Sequence, residues 1–421
     1  MPDGEGAFVH RRVRVLLIVA IALLLTTAGV LAVRQSGVLD DGTGPAAETT
    51  GAAQPRVEEN RLVDARTGRD FVPRGVNWSS FEYACAQGWG LSALDTTAGA
   101  ADPHDAQAAA IASWGANTVR LPLNQDCWLG SRGAPVSDQY EERTYEAYRD
   151  EVARFVTALN RHGLVVILDL HSRKRAEAPE FGNLAMPDAE SLVFWRSVAT
   201  AYRHRPSVMF DAFNEPYSRY DATDELVFDL TWACWRDGGC EAPAEDDQTA
   251  TDGTRTYPVQ GMAAVVGEIR DSGAEQPILL GGLDYANDLS RWLEFAPDDD
   301  QLVAAFHSYD FKACSTLACW DSVLGPLADS VPVLTSELGA EDPLDGYVDR
   351  YLEWADDRGI GAVFWVWAAH ASDPMSLLVE QGGTPTEYGV RTRAWLSGAP
   401  VPAVGATAGI TPEITPETPS G

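Results

Sequence analysis

The chain has 421 residues, with 62 Asp or Glu against 31 Lys or Arg, so its formal net charge is −31 at pH 7. Such an acidic surface repels phosphate backbones and anionic lipid headgroups, which argues against nucleic acid and membrane surfaces as partners. With 45% hydrophobic residues and 13 each of Trp, Tyr and Phe, the chain is too apolar to be disordered.

The N-terminal end predicts export from the cytoplasm. An apolar stretch from 13 to 33 follows several arginines and is long enough to cross a bilayer as a helix. We expect residues 1–34 to be a signal peptide or a signal anchor, with cleavage left open, and the rest of the chain to be extracellular. Residues 35–58 and 398–421 lack aliphatic periodicity and predict a flexible linker and a disordered Pro/Thr-rich tail.

Residues 59–397 predict an α/β fold, because short aliphatic runs alternate with amphipathic stretches of helical period. The eight runs lie at 74–78, 117–123, 164–171, 207–215, 277–283, 302–309, 332–338 and 362–367. Eight buried parallel strands with helices between them predict a closed (β/α)8 TIM barrel. An open doubly wound sheet is the alternative, but no glycine-rich phosphate turn follows the first strand. A hairpin-like pair at 61–64 and 70–72 could plug the barrel bottom.

Six cysteines in an exported chain predict disulfide bonds rather than a zinc site, since no Cys-x2-Cys spacing occurs. Two close pairs, Cys234 with Cys240 and Cys314 with Cys319, would each close a tight loop. That leaves Cys85 to pair with Cys127. We expect no metal, no cofactor and a monomer.

Polar residues gather where the predicted strands end, which is the catalytic face of such a barrel. They are Arg120, His171, Asn214, Glu215, His307, Tyr309 and Glu337. Glu215 and Glu337, on the fourth and seventh strands, should face each other across the mouth. Cleavage of a glycosidic bond needs such a pair, one carboxyl as acid and one as nucleophile. We expect a separation of about 5 Å, which is typical of a retaining enzyme.

Seven motifs resemble glycoside hydrolase family 5, the cellulase-like family of the four/seven clan, over about residues 60 to 395. In chain order they are R-G-V-N-W, N-T-V-R-L-P, V-I-L-D-L-H, F-N-E-P, H-S-Y, S-E-L-G and F-W-V-W. The resemblance implies that Glu215 is the acid/base and Glu337 the nucleophile. It implies that Arg120 and Tyr309 orient the nucleophile, and that the sugar is bound by Asn214, His171 and His307.

The same resemblance implies a tryptophan floor under the reacting sugar. We expect Trp367 rather than Trp365 in this position, on the assumption that strand alternation carries only the later residue to the mouth. Four further tryptophans in the loops could either stack on sugars or pack the loops, and these are Trp78, Trp128, Trp232 and Trp235.

The first functional hypothesis is therefore a retaining β-glycosidase acting on a neutral β-linked polysaccharide, as an endo-β-1,4-glucanase. Within the same family, a β-mannanase, an exo-β-glucanase, a β-glucosidase and a glycolipid endoglycosidase remain open. A catalytically silent carbohydrate-binding barrel is the alternative from another class, and the presence of both carboxylates argues against it. A metal-dependent barrel hydrolase is disfavoured, because the sequence lacks the clustered set of His and Asp at the strand ends that it would need.

Overall fold

The structure is a computed structural model that describes residues 51–96, 102–137, 143–174, 181–221, 223–244, 255–370, 372–380 and 383–405. The predicted signal or anchor segment, most of the linker and the end of the tail lie outside these residues. Within the described ranges, no helix is both long and apolar enough to cross a membrane.

Eight parallel strands form a closed barrel. They are β1 Arg74–Asn77, β2 Thr118–Asn124, β3 Val165–Lys174, β4 Val208–Asp211, β5 Ile278–Gly281, β6 Leu302–Tyr309, β7 Val333–Gly339 and β8 Gly361–Phe364. Each strand pairs in parallel with the next, and β8 pairs with β1 to close the ring. The predicted (β/α)8 fold is confirmed.

Helices surround the barrel. They are α1 Pro103–Ser113, α2 Tyr145–Arg161, α3 Ala189–Tyr202, α4 Met262–Asp271, α5 Trp292–Phe295, α6, α7 Tyr347–Asp356 and α8 Glu387–Leu396. Helix α6 consists of three consecutive segments, Leu317–Cys319, the π-helical turn Trp320–Leu324, and Gly325–Ala328. Side-chain caps define several starts, as in α3, where Asp188 and Ser191 form a reciprocal capping box.

Short elements decorate the connections. Helical turns lie at Ala84–Gln87, Ala93–Thr96, Gln125–Leu129, Trp232–Asp237 and Leu283–Ala286. The long connection after β4 also contains two antiparallel pairs, Arg219–Tyr220 with Leu226–Phe228 and Glu241–Pro243 with Thr256–Pro258. A further short strand, Phe181–Gly182, pairs with the end of β3.

An antiparallel sheet of Pro55–Glu58, Arg61–Asp64 and Arg69–Asp70 closes the bottom of the barrel. Leu62 of this sheet and Phe71, which directly follows it, pack into one apolar cluster with inward-facing residues of β3 to β8, so this segment does plug the barrel. The prediction that the linker extends to residue 58 is wrong, because Pro55–Glu58 is a paired strand. Short polar strands of this kind have no hydrophobic period by which a sequence would reveal them.

The inward-facing residues of β3 and β4 change from apolar to polar along the strand. On β3, Val165 and Ile167 belong to the apolar cluster, and the next residues of the same face are Asp169 and His171. The same change occurs on β4, where Met209 is followed by Asp211. Because alternate residues of a strand share a face, the inward positions pass from a packed apolar floor to a polar mouth.

Three disulfides stiffen loops of this fold, Cys85–Cys127, Cys234–Cys240 and Cys314–Cys319. These are the three predicted pairs. The first joins the connections after β1 and β2, while the other two close short loops after β4 and β6.

Candidate active site

The buried guanidinium of Arg120, on β2, is the centre of the polar mouth. It donates to Asp211 at 2.9 Å, to Glu337 at 2.8 Å and to Asn214 at 2.8 Å. It also contacts Asp169 at 3.0 Å and donates to Asn77 at 3.0 Å. One cation therefore joins side chains from β1, β3, β4 and β7. Burial lowers its pKa, but the surrounding carboxylates outweigh burial and raise it.

Glu337 is buried and held on both carboxylate oxygens. Arg120 donates to Oε1, and the Tyr309 hydroxyl donates to Oε2 at 2.6 Å. The pairing of β6 with β7 shifts register between Phe306 and His307, so that Phe306 faces Thr335 but His307 faces Glu337. This irregularity places Ser336 as an extra residue and turns Glu337 toward the mouth, as β-bulges near active sites often do.

Glu215 lies just beyond β4, which ends at Asp211 rather than at residue 215 as the sequence predicted. Its Oε1 lies 2.9 Å from Nδ1 of His307. One oxygen of Glu215, one oxygen of Glu337 and a ring nitrogen of His307 all lie within 4.8 Å of one another. The two carboxyl groups therefore face each other at close range, and Glu215 is the more accessible, with 19% of its side chain exposed against 5%.

The buried surroundings of the mouth shift the pKa values of its acidic groups. Burial raises the pKa of Glu215, which favours its protonated form. Burial also raises the pKa of Asp211, against the attraction of Arg120. The pKa of Tyr309 lies well above its usual range, because of burial and then of the charge of Glu337, so its hydroxyl remains a donor.

The pKa values of the two histidines are shifted in opposite directions. Burial lowers the pKa of His307 to about 3, so the ring is neutral, and its Nε2 has no hydrogen-bond partner among the described residues. Burial would also lower the pKa of His171, but the charge of Asp169 and a 2.7 Å hydrogen bond from its Nδ1 outweigh burial and raise the pKa.

The aromatic ring at the mouth belongs to Trp365, and the prediction of Trp367 for this place is wrong. Trp365 stacks on His171, with ring centres 5.7 Å apart and an interplanar angle of 10°. Trp367 is instead buried against Trp114, 4.6 Å away, and donates to Gln107 of α1 at 3.1 Å. The reason is that β8 ends at Phe364, so strand alternation does not extend to residue 367.

The four loop tryptophans are core residues, so their proposed role as sugar platforms is not supported. Trp78 packs between Phe81 and Phe155, and Trp128 lies against Phe194. Their exposed fractions, like those of the remaining pair, are too small to offer a ring face, at 3%, 2%, 6% and 0% for Trp78, Trp128, Trp232 and Trp235.

The sequence analysis missed three residues that contact Arg120, which are Asn77, Asp169 and Asp211. A signal was present, because an acidic residue inside an apolar strand must find a partner or be neutralised. Both Asp169 and Asp211 stand in such runs, V-I-L-D-L and V-M-F-D-A, and both contact Arg120.

Glu215, His307 and Glu337 are also the described residues whose geometry could hold a metal ion. Their facing atoms are already engaged, since His307 is hydrogen bonded to Glu215 and Glu337 accepts from Tyr309. The cluster is thus explained by hydrogen bonds within the site.

The model of the cellulase family, glycosyl hydrolase family 5, matches residues 75–371 of the chain. The chain belongs to glycoside hydrolase family 5. It is therefore an O-glycosyl hydrolase. Cellodextrinase A of Ruminococcus flavefaciens is 24% identical over 315 residues, which are 70% of this chain and 80% of that relative.

Solved structures share the family 5 fold at low identity. A β-glucanase of Saccharophagus degradans has a TM-score of 0.60 at 22% identity, over 82% of this chain and 93% of its own. The endoglucanase catalytic domain of Thermobifida fusca has a TM-score of 0.56 at 17% identity, over 82% and 99%. A β-mannanase of Thermomonospora fusca has a TM-score of 0.54 at 17% identity, over 83% and 98%.

Proposed function

We propose that this family 5 enzyme is a retaining endo-β-1,4-glucanase, with Glu215 as the acid/base and Glu337 as the nucleophile. The observation that carries the mechanism is the facing of the two carboxyl groups, with oxygens within 4.8 Å. Retaining glycosidases need about 5–5.5 Å between these groups, whereas inverting enzymes leave room for a water molecule between them.

The assignment of roles follows from the different surroundings of the two glutamates. Glu337 accepts hydrogen bonds from a cation and a phenol, which fix its position for attack on the anomeric carbon. Glu215 is held against the neutral His307 and has a raised pKa, so it can carry the proton that the leaving oxygen requires.

The remaining contacts fit a bound sugar. Asn214 accepts from Arg120 through Oδ1, which leaves its amide nitrogen to donate toward the 2-hydroxyl beside the reacting carbon. Trp365 and His171 would line the same subsite. A β-1,4-glucan is supported by the relatives, which include a cellodextrinase and a β-glucanase whose structure was also determined with cellotetraose.

We also propose that the enzyme works outside the cytoplasm. The three disulfides support this location, since such bonds persist in oxidising compartments. The apolar stretch from 13 to 33 would supply the export signal or the anchor.

The roles are tested with Glu337→Ala and Glu215→Ala, with Glu353→Ala on the outside of α7 as control. Glu337→Ala should abolish turnover of every substrate. Glu215→Ala should lose activity on cellulose but keep the first step on activated aryl glycosides, and azide should restore turnover with a β-glycosyl azide as product. An α-glycosyl azide from Glu215→Ala would reverse the two roles. Equal losses of activity in both variants on both substrate types would remove the assignment.

The proposed substrate is tested separately by measuring the reducing ends released from cellulose, mixed-linkage glucan, mannan and short cello-oligosaccharides. An endo-glucanase should lower the viscosity of a soluble cellulose derivative before much sugar is released. Preference for mannan, or release of only terminal sugars, would overturn the glucan or the endo part of the proposal while leaving the two glutamates in place.

A further inference from the structure

Lysine is almost absent from this chain. Only Lys174 and Lys312 are lysines among its 31 basic residues, and the others are arginines. Both lysines lie at the catalytic end of the barrel, Lys174 as the last residue of β3 and Lys312 three residues after the end of β6. Lysine offers a compact point charge where arginine offers a planar fork, so the two are not equivalent at a functional site.

The turn that carries Lys312 is firmly held. The backbone N–H of Lys312 donates to the carbonyl of Tyr309. Asn287 donates from its side chain to the carbonyl of His307 at 2.9 Å and accepts from the N–H of Cys314 at 2.7 Å. The disulfide from Cys314 to Cys319 closes the other side of the loop. The loop is therefore fixed on both sides of Lys312.

An aromatic stack sets the direction of the Lys312 side chain. Its Nζ lies 4.0 Å from the ring centre of Tyr285, a cation–π contact. The ring of Tyr285 is parallel to that of Tyr217, at 4.8 Å, and the N–H of Tyr285 donates to the carbonyl of Pro216 at 2.8 Å. Because Pro216 directly follows Glu215, this stack lies beside the proposed acid/base.

The backbone under Tyr285 is strained. Asp284, Tyr285 and Ala286 have φ values of 50°, 58° and 58°, in the left-handed region that non-glycine residues rarely adopt. Residues in this region persist at functional sites, where the surroundings impose the conformation. The ring of Tyr285 that supports Lys312 therefore lies on a strained turn.

The charge of Lys312 acts on Glu215. Burial has the largest effect on the pKa of Glu215 and raises it, and among the charged groups Lys312 does most to lower it. Within the described part of the chain, Lys312 forms no ion pair with a carboxylate. The other charged or titratable groups around Glu215 are Arg120, Asp169, His171, His307, Tyr309 and Glu337.

We propose that Lys312 is a positioning residue for the acid/base, whose ammonium group, held over Tyr285, stabilises the carboxylate form of Glu215 between the two steps of catalysis. This inference rests on the proposed roles of the glutamates. In the first step, the proton of Glu215 moves to the leaving oxygen as the glycosidic bond breaks and Glu337 bonds to the anomeric carbon. Glu215 is then a carboxylate, until it takes a proton from the water that releases the sugar.

The test compares Lys312→Met and Lys312→Arg with the wild type by the pH profile of kcat/KM on a soluble glucan. The basic limb of this profile reports the protonated acid of the free enzyme. Without the positive charge, the pKa of Glu215 rises, so the limb should move to higher pH by about half a unit or more in Lys312→Met. Lys312→Arg keeps the charge and should leave the limb near its wild-type position.

Arg196→Met is the control for loss of one positive charge. Arg196 is exposed on α3, where it pairs with Glu268, and its replacement should leave both limbs unmoved. If Lys312→Met gives no folded protein, Lys312→Gln replaces it with the same expectation.

The outcomes separate the two proposals. A wild-type enzyme without activity on any glycan or aryl glycoside would overturn both. An active wild type, with limbs that stay in place in Lys312→Met while kcat/KM falls equally at all pH values, would give Lys312 a purely structural role and overturn this proposal alone.

Discussion

The indole ring of Trp365 lies parallel to His171 at the point where β8 leaves the barrel, and it is half-buried. A ring in this place can support a sugar without contributing much to the core. Trp367 is buried against Trp114 and Gln107 and packs the fold. The two tryptophans, two positions apart, should therefore respond differently to truncation.

Trp365→Ala should lower kcat/KM by roughly tenfold or more, with little change in melting temperature, because the sugar loses its stacking surface. Trp367→Ala should instead cost about 3–5 kcal/mol of unfolding free energy, because it leaves a cavity, and should keep its activity well below the melting transition. Steady-state kinetics and denaturant unfolding on both variants measure this. The reverse pattern would return the sugar floor to Trp367.

At this scale the sequence predicts residues that stand at strand ends, since a polar side chain there is conspicuous. Glu215, Glu337 and Tyr309 were found in this way, and the structure places them together. The sequence does not predict side-chain positions that depend on the exact end of a strand or on a register shift. Because β8 ends at Phe364, Trp365 and not Trp367 lies at the mouth. The register shift before Glu337 cannot be recognised from the pattern of residue types.

Among the elements, the N-terminal sheet contributes apolar side chains to a barrel that the eight strands already close. Its two-residue and four-residue strands could not stand alone. Leu62 and Phe71 seal the apolar floor, and the N–H of Val57 donates to Gln301, just before β6, at 2.8 Å. The hairpin was predictable from its apolar residues around a Thr-Gly turn, whereas the third strand, P-R-V-E, was not.

Leu62→Ala should destabilise the fold by about 2–5 kcal/mol through the cavity it leaves at the barrel bottom. The catalytic mouth lies at the opposite end, so kcat and KM at low temperature should stay near wild-type values. Urea unfolding and kinetics on one preparation check this, with Val401→Ala at an exposed position of the C-terminal segment as control. A large loss of activity in folded Leu62→Ala would mean that the two ends of the barrel are coupled.

For the whole molecule, the net charge of −31 is the dominant long-range feature. A negatively charged polymer meets this field before it reaches the cleft, whereas a neutral one does not. The range of the field depends on salt, with a Debye length of about 30 Å at 0.01 M and about 8 Å at 0.15 M.

Activity on carboxymethyl cellulose relative to hydroxyethyl cellulose should therefore rise as salt increases from about 0.01 to 0.15 M. The expected change lies in kcat/KM of the anionic polymer, since repulsion slows its approach. Sucrose at equal osmolarity is the control and should leave the ratio unchanged. A ratio independent of salt would show that the cleft is screened from the net charge.

Arg120 has a consequence for how this enzyme can change by mutation or design. Its guanidinium is shared by Asp169, Asp211 and Glu337, so replacing any one of these acids alters the charge balance of the other two. The residues around Arg120 therefore cannot be replaced independently of one another. New specificities would have to be sought in the loops around it, where residues such as Phe311 and Trp89 are exposed and can be exchanged one at a time.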